Sequence, residues 1–504
     1  MKKHFIPIIL AATLIITFAV WRTTPAPQYP AAAIHSALPD PSTAKLALNS
    51  MSRHREWVMA PSEAGGVLAF VVYPERSDKA PVVIISDARK GASDWARATA
   101  DQVAAEGYIA VVPDELTGTG TNGGDTDSYA TPAEVSAALD KLGADGIARR
   151  VVAVRRYAVA LPASDGQSAD LHLDSTEQRI KAAVYSSNMP SESFTFAAWP
   201  KTVAFLNRET NNHPVAGSNG DAPEDHSAHI AMLMAQSAAG RSSPGAISAK
   251  PASLPASYFT AQSTLANSKQ QKGWVDIPTG PGANDVKLHT WIEYPSGTEK
   301  APVAIVMQHA SGADEWLLAI ADQLAMQGFI AVTPDIWSGA GPNGGNRDSF
   351  QYVDDAMKAT AKITADETQR RFKIAWDYAM KLPRASGKSA TIGFCAGGGS
   401  SFRFAAEVPE LNAAVVFYGT PPTEAQMANI KAPVIGFYGE NDARVTSTVE
   451  PTIAAMKKLG KYYEPHVYPK ATHTFVMFQE IAANAAALND SWPRAIAFMN
   501  QYTR

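Results

Sequence analysis

The 504-residue chain carries 44 Lys and Arg against 48 Asp and Glu, a formal net charge of −4, so its composition implies no polyanion-binding surface and no nucleic-acid partner. With 46% hydrophobic and 18% charged residues it reads as ordinary globular protein, long enough for two or three domains. A single cysteine excludes an intramolecular disulfide framework.

Residues 1–4 are basic and residues 5–21 are almost wholly apolar. That pattern predicts a signal peptide or an N-terminal anchor over residues 1–22, hence an exported chain that is periplasmic, secreted or tethered to a membrane. The apolar run, about 17 residues, stands at the lower limit for spanning a bilayer. Residues 23–52, rich in Ala, Pro, Ser and Thr, read as a tether.

An internal repeat then sets the architecture. Ala80-Pro81-Val82-Val83-Ile84-Ile85 aligns with Ala301-Pro302-Val303-Ala304-Ile305-Val306, and Leu161-Pro162 aligns with Leu382-Pro383, both at a spacing of 221 positions. An ungapped register over that distance indicates duplication, not similar composition. The register later jumps. Trp199-Pro200-Lys201 matches Trp492-Pro493-Arg494 at a spacing of 293, so the first copy lacks about 72 residues. Residues 53–207 are therefore read as a shortened, inactive copy that packs on the second.

Residues 208–270, rich in Asn, Ser, Ala, Gly and Pro, read mainly as a linker. His213, His226 and His229 lie among acidic residues there, but no rigid element presents them, so no metal is expected.

The second copy, residues 271–504, opens with two early strands and the apolar run 302–307. A helix over 314–327 follows, with Trp316, Ile320 and Leu324 on one face. After another strand and a Gly-rich loop, helical sequence runs from about 350 to 381. Such alternation predicts a mostly parallel sheet with helices on both faces. The loops Gly118-Thr119-Gly120-Thr121-Asn122-Gly123 and Gly339-Ala340-Gly341-Pro342-Asn343-Gly344 both fit G-x-G-x-x-G. Each follows a later strand instead of opening a helix after the first, so no nucleotide cofactor is implied.

The chemistry centres on Gly393-Phe394-Cys395-Ala396-Gly397. An apolar strand ends at this stretch and a helix begins after it, the nucleophile elbow of α/β-hydrolases with Cys where Ser is usual. A β-carbon at either glycine would clash in so tight a turn. Asp442 follows the strand containing Val434-Ile435-Gly436-Phe437. His473 follows a further short strand. Nucleophile, acid and base thus occur in the order this fold requires, each at the carboxyl end of a strand. In the first copy Asp174 falls where Cys395 stands, and His172 and Thr176 replace the two glycines, so no such elbow can form there.

The second copy resembles the dienelactone hydrolase family, which has a Gly-Tyr/Phe-Cys-x-Gly-Gly elbow and a Cys-Asp-His triad. The resemblance implies Cys395 as nucleophile, His473 as base and Asp442 as its orienter. Two departures stand out. The family's Glu that contacts the resting thiol is replaced by His309, and an arginine that holds the substrate carboxylate falls where Val476-Met477-Phe478 stands. His309 is open to three readings: a donor in the pocket, a second modulator of the thiol, or a histidine that structures its own loop.

The expected activity is hydrolysis of a small-molecule ester or lactone through a covalent acyl-enzyme, with the N–H groups of Ala310 and Ala396 as oxyanion hole. No cofactor is expected. The alternative is a non-catalytic envelope protein whose α/β domains bind a ligand or partner. Without a carboxylate-binding arginine at 476–478, substrates are not expected to need an acidic group.

Overall fold

The computed structural model describes residues 38–212 and 254–504, apart from 50, 52, 64, 175–176, 178, 186–189, 281–285 and 362. The expected leader, the start of the tether and the three linker histidines lie outside the described residues. Among the described residues no helix is long and apolar enough to cross a membrane.

The first copy is a seven-stranded sheet: β1 (Arg55–Ala60), β2 (Val67–Val72), β3 (Ala80–Asp87), β4 (Ile109–Pro113), β5 (Ser164–Asp174), β6 (Arg179–Val184) and β7 (Ser191–Thr195), in the order β1-β2-β4-β3-β5-β6-β7. Only β4, β3 and β5 run parallel. After Asp174 the chain does not turn into a helix. It reverses, and β6 pairs antiparallel with β5 and β7 with β6. A hairpin thus closes the sheet where the missing crossovers would be. Its edge strand, Ser-Glu-Ser-Phe-Thr, is mostly exposed and polar, which blunts the edge. The second copy is therefore not needed to cover that edge.

The second copy comprises β8 (Gln271–Pro278), β9 (Lys287–Tyr294), β10 (Ala301–Met307), β11 (Ile330–Pro334), β12 (Ala385–Phe394), β13 (Ala413–Phe417), β14 (Val434–Asn441) and β15 (Tyr463–Thr472), in the order β15-β14-β13-β12-β10-β11-β9-β8. The strands from β11 to β15 are parallel. β10 is buried at every position, as a strand covered on both faces must be.

Helices cover these sheets. In the first copy α1 (Ala44–Asn49) packs beside α2 (Asp94–Ala105), and Trp95 donates to the Pro39 carbonyl at 2.9 Å. The end of the stretch read as a tether is therefore folded, because its apolar Ala44 and Leu48 find the first core. Between the copies, α3 (Ala261–Asn267) packs against α4 (Glu315–Met326). Tyr258 N–H donates to Met477 O at 2.9 Å, and Gln479 donates to Ala256 O at 3.1 Å. The last part of the expected linker thus belongs to the second body. α4 starts at its Asp314 cap, which accepts from Leu317 N–H at 3.0 Å. The helical run expected over 350–381 is two helices, α5 (Val353–Thr360) and α6 (Ala365–Ala379). Thr364 caps the second by accepting from Glu367 N–H at 3.1 Å, and this competes with a continuous helix.

The copies are interlocked. Trp337, Ala356 and Met357 of the second copy enter the core of the first. Lys358 of α5 is buried against Asp114, Asp125 and Asp127 of the first copy at 3.0, 3.2 and 2.7 Å. Arg97 and Asp354, each 1% exposed, pair at 2.7 Å. Buried charges of this kind set registry more than stability.

Candidate active site

β12 ends at Phe394, and α7 (Ala396–Glu407) starts two residues later. Cys395 makes the turn with φ 55° and ψ −119°, a conformation that costs a non-glycine residue about 1–3 kcal/mol and persists where the surroundings enforce it. Close backbone approach enforces it. A β-carbon on Gly393 would lie 1.9 Å from Gly397 O, and one on Gly397 would lie 2.1 Å from Met307 O. The sulfur is buried at the head of α7, 7% exposed.

Asp442 follows β14 and His473 follows β15. The Asp442 carboxylate meets His473 Nδ1 at 2.5 Å, which leaves Nε2 for the site. That buried Nε2 has no hydrogen-bond partner of ordinary geometry. The structure thus brings Cys395, Asp442 and His473 together. Ala310 lines the cavity above the sulfur's loop, and Ala396 is the first residue of α7, whose N–H groups have no partner within the helix.

His309 is buried and lines the same cavity, but its ring serves its own loop. Nδ1 accepts from Ser311 N–H at 3.4 Å, and Nε2 faces the Asp314 carboxylate at 3.2 Å. It shapes the turn that carries Ala310. Of the three readings, the loop-structuring one matches these contacts.

A second imidazole does reach the thiol, and it comes from the first copy. His54, immediately before β1, places Nδ1 3.5 Å from Cys395 Sγ. Its ring lies 4.4 Å from that of His473, and its Nε2 faces Glu56 at 3.7 Å. Sequence reasoning missed His54. The only signal is a cluster of charged residues, Arg53-His54-Arg55-Glu56, set directly before an apolar strand.

The electrostatics follow. Burial pushes the Cys395 thiol up, but the neighbouring His54 and His473 outweigh it and hold the thiol well below its ordinary value. Burial pulls His473 down, but Asp442 and Cys395 raise it to about 9. The two opposite shifts favour a thiolate–imidazolium pair, whose titration belongs to both groups together. Burial likewise raises Asp442, and His473 overrides it to hold the carboxyl below the usual range. The sulfur and one nitrogen of each histidine lie within 4.8 Å of one another, the one group among the described residues close enough to hold a metal ion.

The cavity in front of the sulfur has a volume of about 370 Å³. Tyr258, Phe259 and Phe478 form one apolar wall, with ring centroids 5.6–6.1 Å apart. Position 477 is indeed Met, yet guanidinium groups enter from elsewhere: Arg53 and Arg55 of the first copy and Arg347 of the second. Arg55 is 7% exposed. It donates to Met51 O at 2.7 Å, and among the described residues no carboxylate pairs with it. The Gly-rich loop 339–345 does not line the cavity, although Arg347 just beyond it does.

The profile of the Dienelactone hydrolase family matches residues 67–169 and 288–503. A protein of Saccharolobus solfataricus provisionally named carboxymethylenebutenolidase is 25% identical over 252 residues, 44% of this chain and 97% of its own length. One of Escherichia coli K12, named in the same way, is 27% identical over 243 residues, 46% of this chain and 87% of its own. A solved structure from Klebsiella pneumoniae, provisionally titled a dienelactone hydrolase, is 24% identical with a TM-score of 0.41, covering 46% of this chain and 99% of that one. Each relative spans about half of this chain, as one copy of a tandem pair would. Since the family profile matches more than half of the chain and reaches both copies, the chain belongs to the dienelactone hydrolase family.

Proposed function

We propose that this hydrolase cleaves a small-molecule ester or lactone through an acyl-Cys395 intermediate. The observation that carries the reading is the convergence of the Asp442–His473 pair on a lone cysteine held at positive φ between two obligatory glycines. The thiolate attacks the acyl carbon, and the oxyanion that forms is met by the N–H groups of Ala396 and Ala310. The acyl–oxygen bond breaks as His473 Nε2–H protonates the departing oxygen. His473, now neutral, takes a proton from water as the water oxygen attacks the thioester. The carbon–sulfur bond then breaks, and thiolate and imidazolium are restored.

Arg53, Arg55 and Arg347 support a substrate with an acidic substituent, contrary to the expectation drawn from Met477. An unpaired buried guanidinium suits a planar carboxylate. The relatives' name, carboxymethylenebutenolidase, fits such a lactone acid.

Export is supported by the basic residues 1–4 and the apolar run 5–21. Amino-terminal sequencing of mature protein recovered from the cell envelope tests that part. For the chemistry, the test is turnover of aryl esters by the purified chain and by Cys395→Ala. Loss of turnover with native folding is expected, and undiminished turnover in the variant would overturn the reading.

A further inference from the structure

We propose that the active site is shared between the two copies: His54, supplied by the degenerate first copy and backed by Glu56, is a second catalytic histidine whose Nδ1–H holds the Cys395 sulfur as thiolate at rest and as it leaves the thioester. The inference rests on Cys395 being the nucleophile.

The geometry carries it. His54 is buried, and its Nδ1 stands 3.5 Å from Sγ, an ordinary distance for a hydrogen bond to sulfur. Its other nitrogen faces Glu56, and Tyr73 O–H fixes that carboxylate at 2.8 Å. An imidazole aimed at the sulfur with a carboxylate behind it repeats the Asp442–His473 layout from the opposite copy. His309, whose place in the chain suggests contact with the thiol, is turned to Ser311 and Asp314. Besides His473, the imidazole that reaches the sulfur is that of His54.

The two copies also meet beside both carboxylates. Ala443 N–H, next to Asp442, donates to Arg76 O of the first copy at 2.9 Å. Arg444 lies over the Tyr73 ring at 5.3 Å. Burial would lower the Arg444 guanidinium, but Glu56 and Asp442 together raise it. The charge of one arginine thus acts on both the carboxylate behind His54 and the carboxylate behind His473. A histidine that only filled the interface would have no reason to direct a nitrogen at the nucleophile.

The chemistry needs no proton to leave His54. At rest Nδ1–H donates to the thiolate, a charge-assisted bond. In acylation the sulfur pair forms the carbon–sulfur bond and the hydrogen bond weakens. In deacylation the carbon–sulfur pair returns to sulfur, and the donor is already aimed at it. Around this group the first copy sets Glu56 and Tyr73 behind His54 and Arg53 on the cavity wall, and the charge of its Glu75 acts on His473. From the second copy, Asp442 pairs with His473, Tyr418 lines the cavity, and the charge of Arg444 acts on Asp442 and Glu56.

The test uses the full chain with chelator present, so that no metal ion masks the thiol. The rate of iodoacetamide alkylation of Cys395 is followed from about pH 4 to about pH 10, where thiolate fraction sets the rate, in the wild type, His54→Ala, His54→Asn and Glu56→Gln. His54→Ala is expected to raise the alkylation midpoint by about one pH unit or more and to slow alkylation near pH 6 about tenfold. His54→Asn should recover part of that shift, because its amide N–H falls where Nδ1–H was. Glu56→Gln should move the midpoint the same way by less. An unchanged midpoint in a folded His54→Ala would overturn the proposal, as would His54→Asn no better than His54→Ala. If His54→Ala does not fold, wild-type midpoints in both other variants overturn it. Alkylation is read without turnover, so this failure is separable from failure of the hydrolase reading, which would show as turnover surviving full alkylation.

Discussion

The rings of His54 and His473 lie 4.4 Å apart at one sulfur, although one belongs to the first copy and the other to the second. Each has a carboxylate behind it, Glu56 at 3.7 Å and Asp442 at 2.5 Å. The copy without a nucleophile therefore touches the nucleophile of the other.

Activity should follow a bell-shaped pH profile. The thiol is held below its ordinary value, so thiolate is present above that depressed point, and kcat/KM should fall only as pH drops through it. The His473 imidazolium, raised to about 9, is present below that pH and is lost above it. The alkaline limb should therefore lie near 9, and the plateau should cover neutral pH. A profile whose acid limb sits at an ordinary thiol value, above pH 8, would contradict the thiolate–imidazolium pair.

Gly397→Ala should abolish activity and destabilise the fold by about 3 kcal/mol or more. The added carbon would meet Met307 O at 2.1 Å and Met307 C at 2.5 Å. Both are backbone atoms of the central strand β10, which cannot yield without moving its neighbours. Denaturant unfolding beside an ester assay checks this, and a stable, active variant would show that the elbow is not as tight as described.

Much of this was legible in the sequence. The elbow announces itself because strand, glycine spacing and helix are all local. Asp442 and His473 are legible because the fold dictates their order. The duplication shows as a constant register. His54 is not legible, since its partner lies 341 positions away and neither periodicity nor motif carries a contact between domains. The hairpin β6–β7 escaped notice for a related reason. A missing segment reveals what is absent, not how the sheet is closed in its place. Arg53 and Arg55 stand just past a stretch whose composition reads as a tether, and no local motif marks them as residues of a cavity on the other copy.

Lys358→Ala should weaken the union of the copies. It would leave Asp114, fully buried, without its cation, at a cost of about 3–5 kcal/mol. Burial opposes the charge on Lys358, while Asp114, Asp127 and Asp125 raise its pKa. Its stabilising contribution is thus complete below the ordinary lysine value and is lost only at strongly alkaline pH. Thermal unfolding at neutral pH checks the magnitude. A loss under about 1 kcal/mol would mean that water reaches the cluster.

Arg55→Met should reduce the preference for acidic substrates. It removes a buried cation while keeping much of the side chain's volume. The ratio of kcat/KM for an ester acid to that for its neutral amide counterpart should fall about tenfold or more, as loss of a charge-assisted bond implies. An unchanged ratio would leave substrate recognition to Arg53, Arg347 or the aromatic wall.

The central claim is that Cys395 carries the acyl group. The most direct test is intact-mass analysis of the full chain quenched in acid during turnover of a slow aryl ester. The account predicts a population heavier by one acyl group, mapped to Cys395 by peptide analysis, removed by hydroxylamine and absent from Cys395→Ala. Steady-state turnover with no acyl adduct at any time, or an adduct on another residue, would contradict it.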